Sequence, residues 1–348
     1  MTERKRPNQT TLRSKIRLIW AISDGTIGMR SQALSLAEAL SAAHHHHGCQ
    51  YHEFTISPPP VLRHFPRLAR HLPAASLDRM LSHHAPQMPL SDGFPDLVIT
   101  CGRRMAGISM ALRRIADTAC NNNFRTLHIQ DPRLPAHFFD ILILPLHDPT
   151  RGPNVITSLA SLHRLTEEII TKEAATLDAK WKNLRTPRVA VLIGGDNKRY
   201  KISNVMITDM AQRLSAFAKA NNASLALVTS RRTPPSFTDK LLQHLGNTQF
   251  VVADPGDTNP YPGIFAHVDF IIVTSDSVNM ASEATITGKP VLIAEWRQET
   301  GRIKAFHEAM IAAGHSAPMG EKLPLLGFRR LIEMPEIIAR IDQLLASN

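Results

Sequence analysis

Cysteine is scarce: Cys49, Cys101 and Cys120 are the three in 348 residues. No two of them share a CxxC or metal-ligand spacing, so a cysteine metal centre is not expected and a reduced cytoplasmic setting fits. Long apolar runs are missing too. None approaches the roughly 20 residues that a membrane-spanning helix needs. The amino terminus, MTERKRPNQTTLRSKIRLIW, has no apolar core before a small-residue cleavage site, which argues against a secretory signal. A mitochondrial presequence and a solvated leader both suit its basic composition, and the absent cleavage pattern favours a leader over residues 1–15. Aromatic residues make up 5% of the chain, without the single-strand-binding or zinc-finger signatures that would point to nucleic acid. No short-period repeat is present.

What is present is basic charge. The formal net charge is +10. Residues 1–180 hold 21 Lys+Arg against 15 Asp+Glu, and residues 181–348 hold 19 against 15, a balance of +6 and +4. The first twenty residues alone carry six basic groups and one acid, so most of the first half's excess lies in the tail. That distribution suits anionic ligands or an anionic membrane surface better than a continuous nucleic-acid stripe. The tetrad His44–His47 follows a predicted helix, but neighbouring side chains in such a run point apart. It reads as a variable loop, and no metal site is expected.

The chain alternates apolar runs with polar turns. Ile16–Ile22 reads as a buried strand that breaks at Ser23-Asp24-Gly25-Thr26-Ile27-Gly28, followed by a helix with Ala33, Leu36, Ala37 and Leu40 on one face. The turn resembles half of a dinucleotide fingerprint, with Gly25 and Gly28 allowing close backbone approach, but G-x-x-G falls short of G-x-G-x-x-G. Gln32, one turn into the helix, faces either a ligand or solvent. Strands are also predicted at Asp96–Thr100, Thr126–Gln130 and Asp140–Pro145. Their following turns are Cys101-Gly102-Arg103-Arg104, Asp131-Pro132-Arg133 and His147-Asp148-Pro149. Gly102, Arg103 and Arg104 form either an anion site or surface charge.

Between these strands, residues 57–95 are rich in Pro, His and Arg. Leu62, Phe65, Leu68, Ala69 and Leu72 recur at helical spacing with Arg63, Arg67 and Arg70 among them, and Pro66 argues against one long helix. The stretch is either a basic amphipathic edge that rests on an anionic membrane or a connecting segment packed on its own domain. Residues 158–181 read as a helix, and 182–187 (KNLRTP) as a linker. The pattern then restarts. Arg188–Ile193 is a strand, Gly194-Gly195-Asp196-Asn197-Lys198 a glycine-led loop, and Ser203–Asn221 a helix. Leu225–Thr229 ends in Ser230-Arg231-Arg232-Thr233-Pro234, and the strand Gln249–Ala253 leads to Asn259-Pro260-Tyr261. Phe270–Val273 stops at Thr274-Ser275-Asp276-Ser277, residues suited to capping the predicted helix Val278–Thr287. Gly288 closes that helix before the strand Val291–Ala294, and helices are expected at Gly301–Ala313 and Pro335–Ala346. Unpaired amides at such a helix start, at the carboxyl end of a parallel strand, suit a phosphate or a ribose diol. Glu283, two turns in, faces a ligand or solvent.

Two successive βαβα series predict an α/β fold of two Rossmann-like, doubly wound domains facing across a cleft. The expected divisions are residues 1–181, the linker 182–187 and residues 188–348, with the last helix packing back on the first domain.

The ordered series Ser23-Asp24-Gly25…Gly28…Gln32, Gly102-Arg103-Arg104, Phe139-Asp140, Pro145…His147-Asp148, Ile193-Gly194-Gly195, Ser230-Arg231-Arg232-Thr233-Pro234, Asn259-Pro260-Tyr261 and Thr274…Asp276-Ser277…Met280…Ser282-Glu283-Ala284…Gly288-Lys289-Pro290 resembles the family named for elongated mitochondria. It spans about residues 16–315. Plant members of that family act in mitochondrial fission, and its bacterial members are grouped with glycosyltransferases. The family is in turn similar to two-Rossmann (GT-B) enzymes that bind a nucleotide-sugar donor on the carboxyl-terminal domain and the acceptor on the amino-terminal one.

The resemblance implies a site without metal or cofactor, with the nucleotide-diphosphate sugar as substrate. Backbone amides of Gly194 and Gly195, with Asn197 and Lys198, would meet phosphate, and Arg231 and Arg232 would clamp it. Ser230, Thr233, Asn259, Tyr261, Ser275, Asp276, Ser277 and Met280 complete the expected donor side. Glu283 would take the ribose hydroxyls or form a structural pair. Gly25, Gly28, Gln32, Gly102, Arg103 and Arg104 are the expected acceptor side. The general base is Asp24 or, second, Asp148, although an Asp before Gly also serves simply to shape a turn. The leading expectation is thus a metal-independent glycosyltransferase, cytoplasmic and peripheral to a membrane. An adaptor that keeps the scaffold and recruits a partner at a membrane surface is the alternative. An NAD-using nucleotide-sugar epimerase fits less well, given the incomplete glycine fingerprint. Oligomeric state has no signature in the sequence.

Overall fold

The computed structural model describes residues 16–88, 93–119, 121, 123–197, 201–230, 232–233, 236–245, 248–252, 260–324 and 328–347. The leader 1–15 and the expected site residues Lys198, Arg231 and Asn259 lie outside them. Elements alternate along the chain: β1 (Leu18–Ser23), α1 (Ile27–Ala43), β2 (Gln50–Thr55), α2 (Pro60–His64), α3 (Ala74–His84), β3 (Leu97–Cys101), α4 (Ala106–Thr118), β4 (Arg125–Ile129), β5 (Ile141–Pro145) and β6 (Val155–Ser158). Next come α5 (Glu167–Ala175), α6 (Ala179–Lys182), β7 (Arg188–Ile193), α7 (Asn204–Ala220), β8 (Ser224–Thr229), α8 (Ser236–Leu245) and β9 (Phe250–Val252). The chain finishes with β10 (Phe270–Thr274), α9 (Val278–Thr285), β11 (Val291–Ala294), α10 (Gly301–Ala312), β12 (Ala317–Pro318) and α11 (Met334–Ser347).

The strands form two six-stranded sheets, ordered β2-β1-β3-β4-β5-β6 and β12-β11-β10-β7-β8-β9. Pairs with assigned register run parallel, such as Ile22 beside Thr100 and Val273 beside Leu192. Parallel strands are covered on both faces and so read as unbroken apolar runs. Ile19, Ile22, Val98 and Ile99 are fully buried in the first sheet, as are Val189, Val191, Ile271 and Ile272 in the second. This is the predicted α/β class. Both sheets start their first central strand in the same way. The Asp96 carboxylate accepts the amides of Arg17 (2.7 Å) and Leu18 (3.0 Å), and Asp269 accepts that of Arg188 (2.7 Å).

The chain divides into two compact units. One comprises 1–144, 149–158 and 333–348, and the other 145–148 and 159–332. The boundary therefore falls well before the linker expected at 182–187. The reason is packing: Leu165, Ile170, Leu177, Trp181 and Leu184 share a core with Leu192, Ile271 and Val273 of the second sheet. The single helix expected over 158–181 is also shorter. Leu159–Leu165 runs without helix, tied by the Ser161 amide to Ser282 Oγ (2.9 Å). Thr166 then caps α5, its hydroxyl accepting the Ile169 amide, with Glu167 and Glu168 in the first turn. The terminal helix α11 belongs to the first unit. The His tetrad lies there too, as a 3-10 turn over His45–His47 with His44 Nε2 2.9 Å from Asp342.

Residues 60–70 form α2 and a 3-10 turn, Pro66–Arg70. Leu62 and Ala69 are buried in the first core, while Phe65 (64% exposed) and Leu68 (39%) stand out in solvent. One face of the stretch therefore packs on its own unit, and the other shows Phe65 and Leu68 among Arg63, Arg67 and Arg70. Among the described residues no helix is long and apolar enough to cross a membrane.

Candidate functional site

The carboxyl ends of β7, β8, β10 and β11 meet in one polar knot in the second unit, centred on Asp276. Its side chain has no solvent exposure. Asp276 Oδ2 accepts the Gly195 amide (2.9 Å) and pairs with Arg232 Nη2 (3.0 Å). Asp276 Oδ1 accepts from Thr274 Oγ1 (2.8 Å) and from Trp296 Nε1 (2.9 Å). Thr274 Oγ1 in turn accepts the Gly194 amide (2.7 Å). Four donors around a buried carboxylate satisfy the charge that burial would otherwise make costly.

This arrangement corrects one expectation. The Gly194 and Gly195 amides are not open to a phosphate, because Thr274 and Asp276 hold them. The glycines are needed all the same. A Cβ on Gly194 would lie 2.2 Å from the Asp276 carboxylate oxygens, and one on Gly195 1.9 Å from the Arg232 carbonyl oxygen. Their role is close backbone passage, which larger residues cannot give.

Arg232 crosses from the β8 loop to this turn. Its Nη1 donates to the carbonyls of Gly195 (3.3 Å) and Asp196 (3.2 Å), and the Asp196 amide returns a bond to the Arg232 carbonyl (3.0 Å). Its side chain remains 41% exposed, so part of the five-donor guanidinium faces outward. Thr233 Oγ1 lies within reach of the Ile193 (2.9 Å) and Gly194 (2.6 Å) carbonyls, and Ser230 Oγ accepts the Arg232 amide (3.2 Å). Asn197 follows half-buried in the same turn. The structure brings Gly194, Gly195, Ser230, Arg232, Thr233 and Asp276 together in one constellation.

Beneath it lies a second buried group. Ser275 Oγ donates to Glu299 Oε1 (2.8 Å), and His307 Nε2 donates to the Ser275 carbonyl (2.8 Å). Ser275 is fully buried and Glu299 is 1% exposed, so Ser275 serves an internal carboxylate rather than a phosphate. Burial holds His307 below its ordinary range. Sequence reading missed Trp296, Glu299 and His307. A signal existed: Glu295–Thr300 follows the apolar run Val291–Ala294 at the same end of the sheet.

The opening of α9 matches its prediction. Ser277 Oγ accepts the Met280 amide (3.4 Å), a serine cap at the carboxyl end of β10. One turn further, Glu283 is bonded by the Tyr261 hydroxyl. Burial pushes the Glu283 carboxyl up to about 7, against that bond and the charge of Arg164, which lower it. Burial beside an anion likewise raises Tyr261 well above its usual value. Glu283 thus takes the structural pair of the two alternatives in this state, and it changes charge near neutrality.

In the first unit, Asp24 follows β1. Its Oδ1 accepts the Thr26 amide (3.0 Å), shaping the turn, and its Oδ2 faces Arg104 Nη1 at 3.3 Å. Burial raises its pKa, but the Thr26 and Arg104 bonds outweigh this and leave it below the usual carboxylate value. Gly25 (φ +77°) and Gly102 (φ +83°) adopt the left-handed conformation their turns require. Gly28, by contrast, lies inside α1. Gln32 is buried and donates to the Gly28 carbonyl (3.3 Å), so it is taken up by its own helix rather than offered to a ligand. Arg103 is exposed. The second base candidate, Asp148, belongs to the other unit, with Oδ1 3.3 Å from Arg302 Nε.

Three solved structures share the fold over nearly the whole chain. They are *S*. aureus MnaA with UDP (TM-score 0.50, 12% identity, 96% of this chain and 88% of that one), a putative UDP-N-acetylglucosamine 2-epimerase from Listeria monocytogenes (0.53, 13%, 95% and 91%), and UDP-GlcNAc 2-epimerase from Neisseria meningitidis bound to UDP-GlcNAc (0.51, 15%, 94% and 91%). At such identities the likeness establishes the fold alone, a pair of Rossmann-like domains. In sequence, the chain is 27% identical over 311 residues to the uncharacterized protein RP120 of Rickettsia prowazekii, covering 79% of this chain and 82% of that protein. It is also 27% identical over 247 residues to the mitochondrial fission protein ELM1 of Arabidopsis thaliana. That match covers 63% of this chain and 56% of the plant protein, so the chain spans little more than half the plant relative's length. The family profile described as Mitochondrial fission ELM1 matches residues 27–345, and the chain belongs to that family.

Proposed function

We propose that the protein is a glycosyltransferase that takes a nucleoside-diphosphate sugar on its second unit. The observation that carries this reading is the partly exposed Arg232 guanidinium, fixed by the Asp276 knot beside the serine-capped start of α9. A cation held in place next to a helix amino terminus suits a diphosphate. The fold shared with enzymes whose structures hold UDP or UDP-GlcNAc adds support.

Arg232 and the start of α9 would stabilise the diphosphate as it leaves, so the reaction is proposed to need no metal. In the transfer, an acceptor oxygen bonds to the anomeric carbon while the bond from that carbon to the diphosphate breaks. The acceptor proton passes to a carboxylate. Asp24 is the proposed base, with Asp148 the second choice. Glu283, once ionised and released from Tyr261, would accept the ribose hydroxyls.

A thermal-shift screen of the full chain against nucleoside diphosphates and their sugars tests the reading, since ligand binding raises the melting temperature by mass action. A shift with one of them, reduced by Arg232→Gln and by Glu283→Gln, is the expected result. No shift with any of them at millimolar concentration contradicts it.

A second reading is a non-enzymatic adaptor at a membrane surface, favoured by the solvent-exposed Phe65 and Leu68 among arginines. It predicts capture of a fission GTPase by a protein that binds no nucleotide, with the capture lost in a Phe65→Ser, Leu68→Ser double variant.

A further inference from the structure

A cavity of about 330 Å³ opens in the first unit, lined by Arg70, Met110, Arg113, Arg114, His137 and Phe138, with Asp117, Phe139 and Asp140 completing its wall. It lies away from the carboxyl-end turns. Arg113 and Arg114 stand seven and eight residues into α4, which starts just after β3, and Asp140 immediately precedes β5. At 1.5 Å per residue, that is about 10 Å down the helix from the Gly102 turn. The cavity therefore belongs to the amino ends of the strands.

Its charge is unevenly matched. Three guanidinium groups face two carboxylates. Both carboxylates serve Arg113: Asp117 holds its Nε (2.9 Å) and Asp140 its Nη1 (2.9 Å). Asp140 is committed further, accepting the Thr126 amide (2.7 Å) and hydroxyl (2.9 Å). This explains the Phe139-Asp140 pair singled out in the sequence: Phe139 stacks on the buried His128 at 5.0 Å, and Asp140 ties the β4 and β5 starts to α4. Arg70 and Arg114 are left with no carboxylate partner among the described residues. Arg70 is nonetheless held in place, its guanidinium 4.3 Å from the centroid of Phe138.

We propose that this cavity binds a phosphate monoester. Arg113 with Asp117 and Asp140 carries one net negative charge, so Arg70 and Arg114 bring the lining to +1, which favours an anion. Each of those two guanidinium groups, one held on an aromatic face and one on a helix, can fork onto two oxygens. A phosphate monoester has three terminal oxygens to share between them, whereas a carboxylate has two. His137 on the rim adds a further donor. The volume exceeds that of a bare phosphate, so the ester carries an organic group against Met110 and Phe138. That group is either the glycerol of a lipid headgroup or a soluble metabolite.

The test uses the full chain. Glycerol 3-phosphate is titrated by calorimetry, and in parallel the protein is floated with phosphatidylcholine vesicles with and without phosphatidate. Saturable binding of glycerol 3-phosphate, weakened roughly tenfold by Arg70→Gln and by Arg114→Gln, with unfolding midpoints unchanged, supports the site. Flotation only with phosphatidate, lost in Arg114→Gln, identifies the lipid source. Binding of the soluble ester without flotation identifies the soluble one. Lys172→Gln, an equal change of charge on α5 of the other unit, is the control. The proposal is overturned if the wild-type chain binds neither ligand, if both arginine variants bind as the wild type does, or if Lys172→Gln weakens binding as much as they do. None of these outcomes depends on nucleotide binding, so this site and the donor site stand or fall separately.

Discussion

The two units are built alike and finished differently. Each has a six-stranded parallel sheet whose first central strand is started by an aspartate, Asp96 in one and Asp269 in the other. At the carboxyl ends the resemblance stops. The first unit places an aspartate there, Asp24, with a largely exposed Arg104 and a turn bond to Thr26. The second buries Asp276 under Gly195, Thr274, Trp296 and Arg232 and sets Ser275, Glu299 and His307 beneath it. The two arginines are similarly exposed (44% and 41%), so the difference lies in the carboxylates: a pair such as Arg104–Asp24 contributes about 0–1 kcal/mol, whereas removing a carboxylate that four donors share costs about 3 kcal/mol. One scaffold therefore carries a lightly bonded turn in one unit and a densely bonded polar knot in the other.

The largest expected effect is at Gly195. Its new Cβ would meet backbone, so Gly195→Ala should cost more than about 3 kcal/mol in the second unit. At Gly102 the nearest obstacle is the end of the flexible Met29 side chain, and Gly102→Ala should cost roughly 1–2 kcal/mol, mostly from its positive φ. Urea unfolding checks both. Hydrogen exchange assigns the loss to a unit, since fluorescence mixes Trp20 of the first unit with Trp181 and Trp296 of the second. Equal losses at the two glycines would remove the contrast between the units.

Next in size, Asp276→Ala should destabilise by about 3 kcal/mol, leaving the Arg232 guanidinium, the Gly195 amide, the Thr274 hydroxyl and the Trp296 indole N–H without their acceptor. Asp24→Ala should cost about 1 kcal/mol or less. A double-mutant cycle of Asp276→Ala with Arg232→Gln sharpens the point by isolating the pair's coupling, expected to exceed 1 kcal/mol.

Glu283 gives a pH signature confined to the second unit. Its folded value, about 7, lies above the ordinary 4.5, so between those pH values the folded chain holds the proton more tightly than the unfolded one. Stability contributed by the protonated form is present below pH 4.5 and lost as pH rises through 7, on the order of 3 kcal/mol at most. Unfolding experiments at pH 5 and pH 8 should show this loss in the wild type and not in Glu283→Gln. An ionised carboxylate accepts ribose hydroxyls, so nucleotide binding should strengthen over the same rise.

The architecture was legible because buried parallel strands announce themselves. Ile19–Ile22, Leu97–Ile99 and Val189–Ile193 are apolar throughout. Strand β2, QYHEFT, was missed because an edge strand with mixed exposure shows no such run. Strands β6 and β12 were too short to register. The helix expected over 158–181 failed because leucines at helical spacing fit an extended segment equally well when a neighbouring core takes them up. At the strand ends, the sequence shows which residues gather there but not which partners they take. Nothing local in Gly194-Gly195 says that its amides go to Thr274 and Asp276, some eighty residues on. Long-range hydrogen bonds leave no periodic trace.

A further modest effect tests the shared device. Asp96→Ala and Asp269→Ala should each cost about 1–2 kcal/mol, the value of charge-assisted bonds to strand amides near solvent. Similar losses would show that the two strand starts are equivalent. A loss at one alone would break the comparison at its root.

Hydrogen exchange of the full chain with and without saturating UDP tests the central claim most directly. The account predicts slower exchange around Gly194–Asn197, Arg232–Thr233 and Ser275–Glu283, with the first unit's Asp24 and Gly102 turns unchanged. Unaltered exchange at millimolar UDP, or protection confined to the first unit, would contradict it.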